Sequence, residues 1–411
     1  MRVVVCTWNA GQSLQTVKAS EAASWPTYDG SDQTNGGAEP PAIYAIGFQE
    51  TVSVRSALIG SRVAQLKHYE RQLVQAIQKH ARTDEKQQDF RYTLVRKSII
   101  GAIALFVFVA DSVLGQVNDI QVSAVGCGPL FMSNKGAVGI RFQVQSSQSH
   151  TSWTFVSAHL AAHDYNVNRR NLDWQSIVAR MVFRDSGGQE IQIYDTSYLF
   201  VFGDLNYRIS LNVPEKLPLN RLAEKIGEDP NSLLPHDQLW QQRSQNRTLH
   251  GLSEGKITFP PTYKYVVGTR RLKDFRKRIP GWCDRVFYAG TVDTILYNSV
   301  MHEMRSDHKP VQAIYEIAAE FSPTPRENRL AQRSPFPIDE SYRVKSLFGA
   351  VMDMIAGYLW YFAVFVGFGS DRLGLALILL GLLTVLGSRR YDSLTFPQAV
   401  SSIGYKESGV A

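Results

Sequence analysis

Short apolar runs rich in β-branched residues recur between Val3 and Phe202, and several stop abruptly at a polar cluster. The clearest are Val3–Trp8, Ile43–Phe48, Ile99–Val109, Ala137–Val144, Thr154–Ser157 and Tyr198–Phe202. Each has the length and composition of a β-strand. Two stretches carry helical apolar spacing instead, one with Val63, Leu66, Leu73, Val74 and Ile77, the other with Val167, Leu172, Ile177, Val178 and Met181. Many strands with few, irregularly placed helices predict a layered α+β domain, because a doubly wound parallel sheet alternates strand and helix regularly. There is no internal repeat and no Gly-rich nucleotide loop. Residues 20–41, rich in Ser, Asp, Gly and Pro, read as a flexible excursion.

The 411 residues are 44% hydrophobic and 20% charged, enough to build a core and unlike a disordered chain. A net charge of +7 suits polyanionic partners: nucleic acid, anionic lipid or a phosphorylated metabolite. The three cysteines, Cys6, Cys127 and Cys283, are too few and too scattered for a disulfide framework or a thiolate metal site. They point to a reducing compartment. The first residues hold only a short apolar run before the polar Asn9–Gln12, so no secretory signal is expected.

After Ile317 the composition changes. Residues 319–345 read as a linker, 346–388 as a hydrophobic helical anchor and 389–411 as a polar tail, with the main globular domain at 1–318. Within the anchor, Asp353 and the break Ser370–Arg372 leave uncharged stretches shorter than the roughly 20 residues of a spanning helix. A single span of mixed register and a helical hairpin both remain open. Basic residues on both flanks, Arg343 and Lys345 before and Arg389 and Arg390 after, lean toward both ends being cytosolic.

Six polar clusters carry the chemistry. They are Thr7–Asn9, Gly47–Glu50, Ser157–Leu160, Gly203–Arg208, Trp282–Arg285 and Ser306–Lys309. Singly, each has a bland structural reading: Asn9 a turn former, Glu50 a surface charge, His159 a packed core histidine. Together they offer oxygen ligands, a water-polarising carboxylate and two imidazoles, with no thiol ligand. That set suits a hard cation such as Mg2+ and attack of water on phosphorus.

The order Asn, Gln-Glu, His, Gly-Asp-x-Asn, Ser-Asp-His resembles the exonuclease–endonuclease–phosphatase superfamily. Ser133–Val138, Ser157–His163, Gly203–Arg208, Pro261–Tyr265, Pro280–Arg285 and Ser306–Val311 are similar to the inositol polyphosphate 5-phosphatases within it. The resemblance implies a four-layered α/β sandwich of two packed, mostly antiparallel sheets flanked by helices, followed by the hydrophobic helical tail. It implies that Glu50 binds Mg2+ with help from Asn9, and that Asp204 orients and deprotonates the attacking water. Asn206 would hold that water or the phosphate, His159 and His308 would bond phosphate oxygens, Asp284 would orient His308, and Asp307 would lie near the metal. Substrate contacts would come from Lys135, Tyr263, Lys264, Arg276 and Arg278. Val266 stands where the family usually has aspartate. The implied reaction is loss of the 5-phosphate of phosphatidylinositol 4,5-bisphosphate. The layout resembles tail-anchored fungal members at the endoplasmic reticulum, with the catalytic domain in the cytosol as a monomer and no nucleic-acid partner; protein partners are left open. The rivals are a phosphodiesterase with the same metal machinery and a non-catalytic lipid-binding module.

Overall fold

Five of the six expected strands form as such, and the sixth as part of a hairpin, within a computed structural model that describes residues 1–16, 40–53, 56–57, 62–81, 91–145, 150–210, 224–226, 228–273, 279–317, 330, 332–380 and 382–383. The expected excursion (except 40–41), Arg276, Arg278, residues 319–329 and 331 of the expected linker and the 389–411 tail lie outside the described residues. In chain order the strands are β1 (Arg2–Asn9), β2 (Ile43–Gln49), β3 (Tyr92–Ile100), β4 (Ile103–Ala110), β5 (Val117–Gly126), β6 (Gly136–Gln145) and β7 (His150–His159). There follow β8 (Val182–Arg184), β9 (Glu190–Gln192), β10 (Tyr198–Asp204), β11 (Ser253–Glu254), β12 (Asp284–Ala289), β13 (Asp293–Ser299) and β14 (Val311–Glu316). The helices are α1 (Arg62–Ala81), α2 (Asp111–Leu114), α3 (Val167–Arg180), α4 (Gln238–Ser244) and α5 (Tyr342–Val366).

Two six-stranded sheets form, in the orders β13-β14-β1-β2-β4-β3 and β11-β12-β10-β7-β6-β5. Each is antiparallel except for one central pair, β1 with β2 and β7 with β10. Between the sheets, Val5, Ala45, Leu105 and Tyr315 pack against Phe142, Phe155, Phe200 and Val286. On the outer face of the first sheet, Tyr69, Leu73 and Ile77 of α1 bury against Phe48 and Phe106. On the outer face of the second, Trp174, Ile177 and Val178 of α3 bury against Val156 and Val201. Full burial of such side chains stabilises by about 1.5–3 kcal/mol each, which is what fixes the layers. The result is the expected four-layered sandwich.

Two local expectations change. The run Ile99–Val109 is not one strand but the turn and arms of the β3–β4 hairpin, because Gly101 adopts φ +53°. Leu172, expected on the apolar face of α3, is 58% exposed. It precedes Trp174 by two residues, about 200° around a helix, so it faces away from the sheet.

The chain divides into two compact units, Met1–Asp353 and Met354–Ala411. The described part of the expected linker is hydrogen-bonded to the first unit: the Leu330 amide donates to Thr196 O and the Asp339 amide to Ala179 O. In the second unit α5 stops at Val366, Phe368 and Gly369 take positive φ, and residues 371–380 are helical again. Trp360 Nε1 donates to Asp371 Oδ2 at 3.4 Å across that turn. Gly374 lies so close to Ala363 that a Cβ there would sit 1.6 Å from its carbonyl oxygen. Among the described residues one helix, Tyr342–Val366, is long and apolar enough to cross a membrane.

Candidate active site

The single parallel pair in each sheet places two strand C-termini side by side, and this builds the site. Asn9 at the end of β1 lies opposite Gln49 at the end of β2, and His159 at the end of β7 lies opposite Asp204 at the end of β10. β12 runs the other way, so Asp284 at its start also faces Asp204. β14 likewise starts beside the end of β1, which brings Ser306–His308 to the same edge. Gln49 Nε2 donates to Ser157 Oγ at 3.2 Å, stitching the two sheets directly beneath the site. Gly47 permits that approach, since a Cβ there would meet Ser157 Oγ at 2.5 Å.

One carboxylate oxygen is the hub. Asp204 Oδ2 accepts from Asn9 Nδ2 at 2.9 Å and lies 3.3 Å from His159 Nε2 and 3.9 Å from His308 Nε2. Asn9 Nδ2 also reaches Glu50 Oε1 at 3.3 Å, while its own Oδ1 accepts from the Gly11 amide. His308 Nδ1 is 2.8 Å from Asp284 Oδ2, which also accepts from Thr262 Oγ1 at 2.7 Å. With the carboxylate accepting, Nδ1 carries a proton and Nε2 faces Asp204. Asn206 donates from Nδ2 to Leu160 O and its amide is held by Asp204 Oδ1. Asp307 pairs with Lys264 Nζ at 2.8 Å, and the Tyr263 ring lies 4.5 Å from the His308 ring. Lys135 Nζ is 2.5 Å from His159 Nε2. Apart from Arg276 and Arg278, every residue singled out in the sequence therefore comes to this one edge.

The electrostatics divide the site. Burial alone would push His308 down, but the carboxylates of Asp284 and Asp204 outweigh it and hold its pKa up at about 9. Burial and the neighbouring Lys135 push His159 down, against the pull of Asp204. Burial lowers Lys135 as well, opposed by Asp204 and Glu50. For Asp204, burial works upward, yet His308 and His159 hold it well below the usual carboxylate range.

The donor set suits a hard cation. Glu50 is 42% exposed in its side chain, beside the buried Asp204, and Asn9 bridges the two. The thiol of Cys283 is turned to Tyr207 O and burial raises its pKa well above normal, so no thiolate competes. Asp204, Asp284 and His308 also lie close enough to share an ion. Their geometry is better explained as an Asp–His hydrogen-bonded pair facing a third carboxylate, because Asp284 already occupies Nδ1.

Sequence reasoning assigned no part to Arg208. Its buried guanidinium stacks 4.0 Å over the Tyr263 ring and donates to Asn206 Oδ1, so it holds two of the expected contact residues at once. Its place at the end of the Gly203–Arg208 segment was the available signal. Arg170, also buried, donates to the carbonyls of Ala161 and His163 and fixes the loop after His159.

The endonuclease/exonuclease/phosphatase family 2 pattern matches residues 6–314. A type IV inositol polyphosphate 5-phosphatase 9 of Arabidopsis thaliana is 32% identical, over 76% of this chain and 77% of its own length. The chain belongs to the inositol polyphosphate 5-phosphatases. Among other members of that family, the mouse type II inositol 1,4,5-trisphosphate 5-phosphatase is 32% identical over 67% of the chain, which spans only 27% of that longer protein. The solved 5-phosphatase domain of a synaptojanin, crystallised with inositol (1,4)-bisphosphate and a calcium ion, superposes with a TM-score of 0.62 at 27% identity. That match covers 87% of this chain and 92% of the synaptojanin domain.

Proposed function

We propose that the chain hydrolyses the 5-phosphate of phosphatidylinositol 4,5-bisphosphate, releasing phosphatidylinositol 4-phosphate and inorganic phosphate with Mg2+ as the cofactor. The observation that carries this reading is the convergence of Asn9, His159 and His308 on Asp204 Oδ2. Such an arrangement has a water-orienting carboxylate between two phosphate-oxygen donors, which is most of what in-line phosphoryl transfer asks of a protein. Asp204 accepts a hydrogen bond from the attacking water and takes its proton as the new P–O bond forms and the bond from phosphorus to the inositol 5-oxygen breaks, that oxygen leaving as the alcohol with a proton from solvent. The Asp204 pKa is low before substrate arrives, and the charge of a bound phosphate monoester raises it toward that task. His308, positively charged and oriented by Asp284, and His159 bond the non-bridging oxygens. Asn206 holds the water or the phosphate. Glu50, positioned by Asn9, would hold Mg2+, with Asp307 beside it. When bound, the ion supplies positive charge to the phosphate and its departing oxygen.

The neighbouring 4-phosphate is a second dense anion, best met by cations and hydroxyls, which Lys264, Tyr263 and Lys135, with Arg276 and Arg278, would supply. The lipid form of the substrate is favoured by the tail. Its apolar helices and exposed Phe365 and Phe368 suit a bilayer, which raises the local concentration of lipid headgroups. The turn after Val366 and the approach of Gly374 to Ala363 favour a hairpin dipping into the cytosolic leaflet over a single span. The endoplasmic reticulum is the expected membrane, by likeness of layout to tail-anchored members.

Phosphate release by the full-length protein from mixed micelles tests the assignment. Phosphatidylinositol 4,5-bisphosphate and soluble inositol 1,4,5-trisphosphate should both yield phosphate with Mg2+ and none with EDTA. Release from neither would sink the enzymatic reading, and release from the soluble compound alone would sink the lipid assignment.

A further inference from the structure

The loop that presents Lys135 to the active site is held from outside by the start of α5. Residues 127–135 form a tight loop, closed by the Cys127 amide donating to Lys135 O at 2.7 Å. On one side Gly101 of the β3–β4 turn abuts it, so closely that a Cβ would fall 2.2 Å from Ser133 O. On the other side lies α5. Gly349 is buried against Phe131, whose carbonyl oxygen would be 2.2 Å from an added Cβ. The Phe131 ring has the Arg180 guanidinium at 4.7 Å and Lys345 Nζ at 5.8 Å. Both carboxylate oxygens of Asp353 accept from the Ser133 amide, at 3.1 and 3.2 Å.

Asp353 is the sole acidic residue between Glu340 and Asp371, in an otherwise strongly apolar stretch. The carboxylate is half-buried, and its partner is an amide two residues from Lys135. The helix also has a fixed base on the same unit. Tyr342 OH donates to Glu190 Oε1 at 3.0 Å, and Lys345 pairs with Asp339 at 2.6 Å. Asp339 in turn is tied through its amide to the end of α3.

We infer that Asp353 is a positioning residue for the reaction: by holding the Ser133 amide it fixes the 127–135 loop and so sets Lys135 against His159 and the substrate phosphates. This rests on the 5-phosphatase reading above. Residues 342–353 are then a working part of the catalytic unit and not merely the approach to an anchor.

The test is a double-mutant cycle on full-length protein in detergent, with soluble inositol 1,4,5-trisphosphate so that bilayer docking plays no part. Asp353→Ala should lower kcat/KM about tenfold, chiefly by raising KM, the scale of losing one charge-assisted hydrogen bond. In a Lys135→Ala background the same change should cost less than about twofold, because the loop then has no lysine to position. Wild-type activity in Asp353→Ala, or equal losses in both backgrounds, overturns the inference, since general loosening of the fold is indifferent to Lys135. If Asp353→Ala does not fold, Asp353→Leu, similar in volume but with no acceptor for the Ser133 amide, carries the same cycle, with the same result expected and the same results overturning the inference. Wild-type protein that releases no phosphate would remove the enzymatic reading itself.

Discussion

His159 and His308 flank the same Asp204 oxygen, yet their surroundings drive them in opposite directions. His308 is backed by Asp284 and held protonated, with a pKa near 9. His159 has Lys135 2.5 Å from its Nε2 as well as the Asp204 carboxylate, and burial with that lysine pushes its pKa down against the pull of Asp204. Burial pushes Lys135 down as well, so the positive charge most firmly held at this edge is the His308 imidazolium. The difference teaches that the two histidines, alike in the sequence, are not interchangeable. One is a charged donor fixed by its carboxylate partner. The other is a ring pushed toward its neutral form by burial and by Lys135.

Removing the shared oxygen should break both halves at once. Asp204→Asn is expected to cut kcat by about 10³-fold or more, the scale of losing a catalytic acid–base group, with lipid binding retained. Micelle binding and phosphate release measure the two separately, and turnover within tenfold of wild type would contradict the hub. Next in size is the His308 side alone. Asp284→Asn should cost about 10²-fold in kcat and move the alkaline limb of activity to lower pH. The sign follows from the raised pKa: wild-type His308 keeps its proton up to about 9 and activity falls as pH passes through that value. Without Asp284 the main upward pull is gone, so the fall comes earlier; an unmoved limb would assign it to another group.

The His159 side should respond more mildly. Lys135→Ala is expected to raise KM about tenfold and to shift the His159 imidazole signals, followed by NMR, to a higher pKa. Burial still holds that ring down, so the shift should be partial. An unchanged His159 titration would separate it from Lys135. Smallest is Arg208→Lys, which keeps the charge but loses the planar stack on Tyr263 and one of the bonds to Asn206. A KM increase of about threefold with kcat nearly unchanged is expected.

Much of the fold was legible because its signals are local. Runs such as Val3–Trp8 and Tyr198–Phe202 show their strand character in sequence, and the polar residues that end them mark the site edge. The family motifs then named which edge. What stayed hidden depends on contacts between distant residues. Nothing in the sequence sets Lys135 against His159, because that pairing follows from the β6–β7 register, Gly136 opposite His159. The Ile99–Val109 run hid a hairpin because its turn rests on one glycine with apolar neighbours. Asp353 read as a flaw in a membrane helix, since its partner, Ser133, is 220 residues away.

Regiochemistry tests the central claim most directly. Phosphorus-31 NMR of inositol 1,4,5-trisphosphate treated with the full-length protein and Mg2+ resolves which ester is lost. The account predicts disappearance of the 5-phosphate signal with one equivalent of inorganic phosphate, leaving the 1- and 4-phosphates in place. Loss of the 1- or 4-phosphate instead, or cleavage of a phosphodiester while the trisphosphate survives, would contradict it.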